Sequence, residues 1–245
     1  AGRSYYYSFR DHDGSYNHSV EKLFSKIENE TAETFRSLET AIDEINLHAY
    51  TKGVSETDRR NLMEFLFLHM IRVPAVMDCI RQESAKHETS ISKEYGKDYS
   101  EDYVQKNSLR VLTRIGRKKD APILDYLLSK HCRILSVLRS KACFLTTDNP
   151  VCRLNKIEPD GIFYENTEIY LPLNQRALLF LHGNEAELQI GRFGDLNVVF
   201  DLNCYMARGA KELIVCSNKE YLLRVLKTID LEVTNGDEKD GRESA

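Results

Sequence analysis

The chain has 245 residues, 42% hydrophobic and 29% charged, with 34 Lys plus Arg against 38 Asp plus Glu and a formal net charge of −4. That apolar fraction excludes a disordered chain, and the charge argues against a strongly basic nucleic-acid-binding domain, leaving only a local patch open. The length predicts one or two domains whose core needs no disulfide or metal.

No apolar run approaches the roughly 18 residues of a membrane span. The longest, Leu62 to Val76, is interrupted by Glu64, His69, Arg72 and Pro74. The opening AGRSYYYSFR carries no apolar segment of a signal peptide, and the absence of an initial Met suggests a fragment or a processed chain. The six cysteines form no CxxC pair, which disfavours a zinc knuckle or a redox pair. Most sit in apolar runs (CFL, VC, IVC), as buried thiols do, which points to a reducing, cytoplasmic protein.

Residues 11–18, DHDGSYNH, read as a polar loop. From Val20 to Ile45, apolar residues and threonines recur at steps of three and four, predicting an amphipathic helix of about 25 residues with Ser19 as N-cap. Gly53 closes the loop that follows. A second helix starts near Ser55, with Asp58 placed as in a capping box, and runs through NLMEFLFLHMIRVPAVMDCIRQE. It is apolar almost all round and therefore central, with a kink at Pro74. Residues 84–100 read as a linker or exposed loop. Helical pattern returns over Glu101 to Ile115 and from Pro122 to about Lys130.

The pattern changes after about residue 131. Ile134 to Leu138 and Ala142 to Thr146 read as a hairpin across Arg139-Ser140-Lys141, although the first run also fits a helix extension. Asp148-Asn149-Pro150 marks a turn. Strands are predicted at Glu168 to Leu171, Ala177 to Leu181 and Glu212 to Cys216. Helices are predicted at Leu196 to Arg208 and, capped by Asn218, through Leu226. The fold class expected is α+β: an N-terminal helical bundle packed on a mainly antiparallel C-terminal sheet. It forms one domain over 1–232, helical over about 19–130 and sheet over about 131–232, with a charged flexible tail at 233–245.

The chemistry begins with polarity inside the second helix. At about 100° per residue from Asn61, Arg72 falls near 20°, His69 near 80° and Glu64 near −60°, in a sector shared with Phe65, Leu68, Val76 and Cys79. A buried Arg must be paired. One reading is a pocket in which Arg72 holds an anionic, phosphate-containing ligand; the other is a structural network in which Arg72 caps carbonyls freed by Pro74. The second feature is Thr146-Thr147-Asp148-Asn149-Pro150. Asp and Asn build Asx-turns, which alone accounts for the motif; alternatively both project from a strand end into a site.

Other patterns are weaker. Glu30 borders the first helix's stripe and reads as a solvated flank. Pro159-Asp160 with Glu168-Ile169-Tyr170 resembles the PD…ExK metal nucleases, but Tyr170 stands where the lysine belongs. Asp11, His12, Asp13 and His18 offer metal ligands without the rest of a calcium loop. The RIGRKK cluster at 114–119 reads as a solvated basic turn. GxGxxG, the P-loop, HExxH and GxSxG are all absent.

Three segments, VEKLFSKIENETAETFRSLE, ETDRRNLMEFLFLHMIRVP and FLTTDNPV, together resemble a mainly bacterial family, domain-of-unknown-function family 4238. IYLPLNQRALLFL and LNCYMARGAKELIVCSNKEYLLRVL extend the similarity, so it covers residues 20 to 226. The TTDNPV stretch, close to the family's TSDNPV, is its most specific part. Two departures stand out: the family's His-x-Val-Pro segment near the start is not found here, and Cys132 occupies a place where an aromatic often stands. The resemblance implies the fold and the choice of Arg72, Asp148 and Asn149, but no reaction.

The leading functional expectation is a hydrolase-type effector acting on a nucleic acid or nucleotide. Arg72 would bind substrate, Asp148 would be general base or metal ligand, Asn149 would orient it, and His69 would shuttle protons because its ordinary pKa lies near working pH. The alternative is a non-catalytic protein-interaction module with a structural polar core. The sequence specifies no cofactor or metal. The partners it suggests are a phosphate-bearing ligand and, as a homo-oligomer, a second copy of the chain.

Overall fold

A computed structural model describes residues 8–10, 15–48, 52–86, 93, 104–109, 122–137, 142–155, 166–183, 188–192 and 195–240. The chain divides into two compact units, Ala1–Arg36 with Arg60–Leu128, and Ser37–Arg59 with Ser129–Ala245. The class is α+β: helices dominate the N-terminal part, and a mixed, mainly antiparallel sheet occupies the C-terminal part.

In the first unit, β1 (Phe9–Arg10) and β2 (Tyr16–Asn17) pair antiparallel. Helix α1 runs Ser19–His48, so it is longer than expected and carries the chain into the second unit. Ser19 is its first helical residue rather than its cap. The His18 carbonyl accepts from the Lys22 amide at 3.0 Å, and the Asn17 side chain accepts from the Ser19 amide at 2.9 Å. The predicted stripe is buried at Val20, Phe24, Thr31, Thr34, Leu38 and Ile42.

Helix α2 (Glu56–Ile71) is central, as expected, with Leu62, Met63, Leu66, Phe67, Leu68 and Ile71 all buried. Its start is capped by Ser55, whose Oγ accepts from the Asp58 amide at 3.0 Å and donates to Asp58 Oδ2 at 2.6 Å. The expected kink at Pro74 is a full break. Helix α2 ends at Ile71 and α3 spans Pro74–Ala85. Proline at the first helical position has no amide to lose, so starting a new helix there is less costly than bending an old one. Residues 104–109 are helical, and α4 spans Pro122–Ser129 with Leu124 and Leu127 buried. Ser84 and Ala85, the start of the expected 84–100 linker, belong to α3; the rest of that linker apart from Lys86 and residue 93, and the remainder of the 101–115 prediction, lie outside the described residues.

The second unit is built on a six-stranded sheet in the order β3-β9-β4-β8-β7-β6. Its strands are β3 (Lys52–Gly53), β4 (His131–Ser136), β6 (Cys152–Asn155), β7 (Thr167–Asn174), β8 (Ala177–His182) and β9 (Leu188–Arg192). The β4–β9 pair is parallel and the other neighbours are antiparallel. A separate two-stranded ribbon joins β5 (Thr146–Thr147) to β10 (Ile214–Val215). The expected 134–146 hairpin does not form. Strand β4 has β8 on one edge and β9 on the other, while Thr146 and Thr147 pair with β10. A strand as buried as β4 must fill both hydrogen-bonding edges, and pairing with two distant strands does so where a local hairpin fills one.

Side chains alternate across the sheet. Ile134, Ile169, Leu171, Leu179, Leu181 and Ile190 share one face and are essentially fully buried. On the other face Cys152 and Leu178 join the helices α5 (Leu196–Arg208) and α6 (Lys219–Asp240) in one core, with Phe144, Leu145, Val199, Leu202, Met206, Tyr221 and Val225. The latter part of α1 meets the β7–β8 turn, where Arg176 pairs with Asp43 at 3.4 Å and Asn174 donates to Glu39 at 3.3 Å. Helix α6 continues through Asp240, into the segment expected to be a tail; no proline interrupts it.

Candidate functional site

In the first unit, α1 and α2 exchange polar and aromatic contacts in antiparallel order. Asn61 donates to Thr34 Oγ1 at 3.1 Å. The Phe65 ring meets Phe35 edge-on at 5.0 Å and His69 at 4.3 Å. Arg72 pairs with Glu28 and lies over the Phe24 ring at 5.1 Å. The sector read from the sequence is therefore the seam between two helices. Glu28 meets the charge of Arg72, which at 31% side-chain exposure is only partly desolvated. Glu64 leaves the seam and pairs with Arg60 at 3.2 Å.

His69 does not keep the pKa for which it was chosen. Burial lowers it first, the Arg72 cation lowers it further, and Glu28 opposes them, leaving it at about 4. At neutral pH it is an uncharged imidazole packed on Phe65, with little protonated form to donate.

Asp148 and Asn149 lie in the second unit, where β5 ends against the loop before β10. Both carboxylate oxygens of Asp148 accept backbone amides: Oδ1 from Lys211 and Oδ2 from Glu212, each at 3.0 Å. The Asp148 amide donates to the Leu213 carbonyl at 3.2 Å, continuing the ribbon's pairing. The Asn149 amide donates to Thr147 Oγ1 at 3.1 Å, a turn closed by a threonine hydroxyl. Thus Asp148 spans to another segment rather than closing an Asx-turn on its own amides. Arg72 and His69 belong to one unit and Asp148 and Asn149 to the other.

The lesser patterns resolve similarly. Glu30 pairs with Lys26 at 3.6 Å on an exposed flank. Glu168 accepts from Tyr170 Oη at 2.5 Å, and burial followed by this carboxylate pushes the Tyr170 phenol up. Asp160 and its partner Pro159, the RIGRKK cluster and Asp11, His12 and Asp13 lie outside the described residues. His18 bonds Ser8 at 2.8 Å and Glu21 at 3.2 Å. Among the described residues no group of three or more His, Cys, Asp or Glu side chains is placed to hold a metal ion. No described helix is long and apolar enough to cross a membrane.

The family model described as "Protein of unknown function (DUF4238)" matches residues 1–220. The chain belongs to this family. No curated protein and no solved structure matches it.

The segments FLTTDNPV, LNCYMARG and KELIVCSNKEYLL, the last running three residues past the DUF4238 match, come together in one hydrogen-bonded lattice. Asn203, on α5 and fully buried, accepts from the Leu145 amide at 3.1 Å and donates to the Cys143 carbonyl at 2.8 Å and to Tyr221 Oη at 3.1 Å. Asn218 caps α6 by accepting from the Tyr221 amide at 3.0 Å, as the sequence predicts. Asp148 completes the lattice on its other side. Asn203 escaped the sequence reading, although one signal was available: it sits on the same helical face as Val199 and Met206, where an amide must find partners. The approach of Cys143 to Cys216 carried no local signal, since 73 residues separate them.

Proposed function

We propose that this DUF4238 chain is a non-catalytic interaction module of a reducing, cytoplasmic environment, whose polar groups hold the fold. The observation that carries this reading is the Asp148 carboxylate, with each oxygen engaged by a backbone amide of the 211–212 segment. A general base or metal ligand needs its oxygens free to turn to substrate or ion, and here each is tied to an amide of the protein's own main chain. The other expected groups support the same reading: Arg72 is met by Glu28, and His69 is neutral against Phe65. A phosphate-bearing ligand at Arg72 would have to displace Glu28. Exposed apolar side chains support a partner-binding role. Leu213, just before β10, and Val215 within it are 55% and 49% exposed. A second copy of the chain is one candidate partner.

The competing function, a hydrolase acting on a nucleic acid or nucleotide, is separated by one comparison. Wild type and Asp148→Asn are assayed for release of phosphate or nucleotide from single-stranded RNA, DNA and nucleoside triphosphates, at equal folded fraction. The module shows no turnover distinguishable between the two. Turnover by wild type that vanishes in a variant of unchanged stability would establish the hydrolase instead.

A further inference from the structure

The sulfur atoms of Cys143 and Cys216 lie 3.5 Å apart. Neither belongs to a CxxC motif, and they come from segments joined only by the fold: the approach to β5 and the turn between β10 and α6. We propose that Cys143 and Cys216 are a peroxide-responsive thiol pair that closes to a disulfide across the β5–β10 ribbon. This stands apart from the module reading, because it concerns a modification site and not a partner surface.

The geometry supplies the roles. Cys216 is half-buried and Cys143 is buried, so the oxidant meets Cys216 first. Cys216 Sγ also donates to the Asn218 carbonyl at 3.4 Å, the residue that caps α6. Burial and the shared hydrogen bond with Cys216 push the Cys143 thiol up, so it does not compete for the oxidant and reacts only once the Cys216 sulfenic acid stands beside it. Closing the gap to a bond of about 2.05 Å asks the two side chains to share a movement of about 1.5 Å.

The chemistry balances with hydrogen peroxide as the oxidant. Cys216 gives up its proton, its thiolate attacks one peroxide oxygen, the O–O bond breaks, and a sulfenic acid forms while the leaving hydroxide takes up that proton as water. The Cys143 sulfur then attacks Cys216 Sγ, the S–O bond breaks, and the hydroxyl leaves with the Cys143 proton as a second water. Two thiols and one peroxide give one disulfide and two waters. The disulfide has no S–H, so the bond from Cys216 to the Asn218 carbonyl is lost while the start of α6 becomes tied to the segment that Asn203 anchors.

The remaining thiols are poor competitors. Burial pushes the Cys132 and Cys204 thiols up, and pushes that of Cys152 up to about 12. Cys79 is exposed and supplies the control, being accessible but without this neighbour.

The test treats the fully reduced 245-residue chain with one equivalent of hydrogen peroxide, blocks remaining thiols with N-ethylmaleimide, and maps peptides without reduction. The expected first product is the Cys143–Cys216 linked peptide, two hydrogens lighter than its parts and reversed by dithiothreitol. In Cys143→Ser, Cys216 should accumulate as a sulfenic acid trapped by dimedone. Wild-type mapping decides the matter even if that variant does not fold. Oxidation appearing first at Cys79 or in another pairing, or Cys216 passing to sulfinic acid without linking, would overturn the proposal.

Discussion

Asp148 is bonded to the backbone of Lys211, its Oδ1 accepting the amide at 3.0 Å while Oδ2 takes the amide of the next residue. A carboxylate that accepts two main-chain donors does locally what an N-cap does for a helix, satisfying amides that would otherwise point at water or nothing. Here the amides belong to the short segment between α5 and β10. Asp148 thus holds the segment that leads into β10, beside the ribbon pairing of Thr147 with Ile214.

The buried amide of Asn203 should be the most sensitive position in the second unit. Asn203→Ala leaves the Leu145 amide and the Cys143 carbonyl without the side chain that meets them. Two such buried groups cost about 3–5 kcal/mol. Urea unfolding should show the free energy of unfolding in water falling by that amount, with the midpoint moved to lower urea at unchanged slope. Tyr221→Phe removes one of the three bonds and should cost about 1 kcal/mol.

Arg72 should matter less than a buried cation would. Its side chain is 31% exposed and that of Glu28 42%, so solvent screens the pair. A double-mutant cycle between Arg72→Ala and Glu28→Ala should give a coupling of about 0.5–1 kcal/mol, not the several expected had Arg72 been fully buried. A coupling near zero would mean that Arg72 acts chiefly through its packing on Phe24.

His69 should make stability depend on pH in one window. Its folded pKa, about 4, lies below the unfolded value of 6.5, so the unfolded state binds the proton more readily between the two. The stability contributed by keeping it neutral is fully present above pH 6.5 and is lost as pH falls towards 4. The total is at most about 3 kcal/mol. His69→Leu should flatten the unfolding profile in that window, and an unchanged profile would contradict the lowered pKa.

The sequence made the helices legible because their stripes are long, and long stripes average out local exceptions. The Ser55–Asp58 cap, the Asn218 cap and the strands β7 and β8 were readable for the same reason: each signal lies within a few residues. What failed was pairing. Nothing local in Ile134 or Thr146 says that one will lie between β8 and β9 and the other against β10, since those partners are chosen by burial across distant segments. The candidate site follows the same rule. The sequence shows Arg72, Asp148 and His69 as polar groups set beside apolar runs. Their partners, Glu28 at a separation of 44 residues and the Lys211 amide at 63, have no local signature.

The most direct test of the account is the stability of Asp148→Asn and Asp148→Ala against wild type, by equilibrium urea unfolding. Asparagine keeps one acceptor and turns an NH2 towards the second amide; alanine keeps neither. The structural role predicts a loss of about 1–3 kcal/mol, with alanine at least as damaging as asparagine. Two variants as stable as wild type would mean that the Lys211 and Glu212 amides do not depend on this carboxylate, and would return Asp148 to the candidates for chemistry.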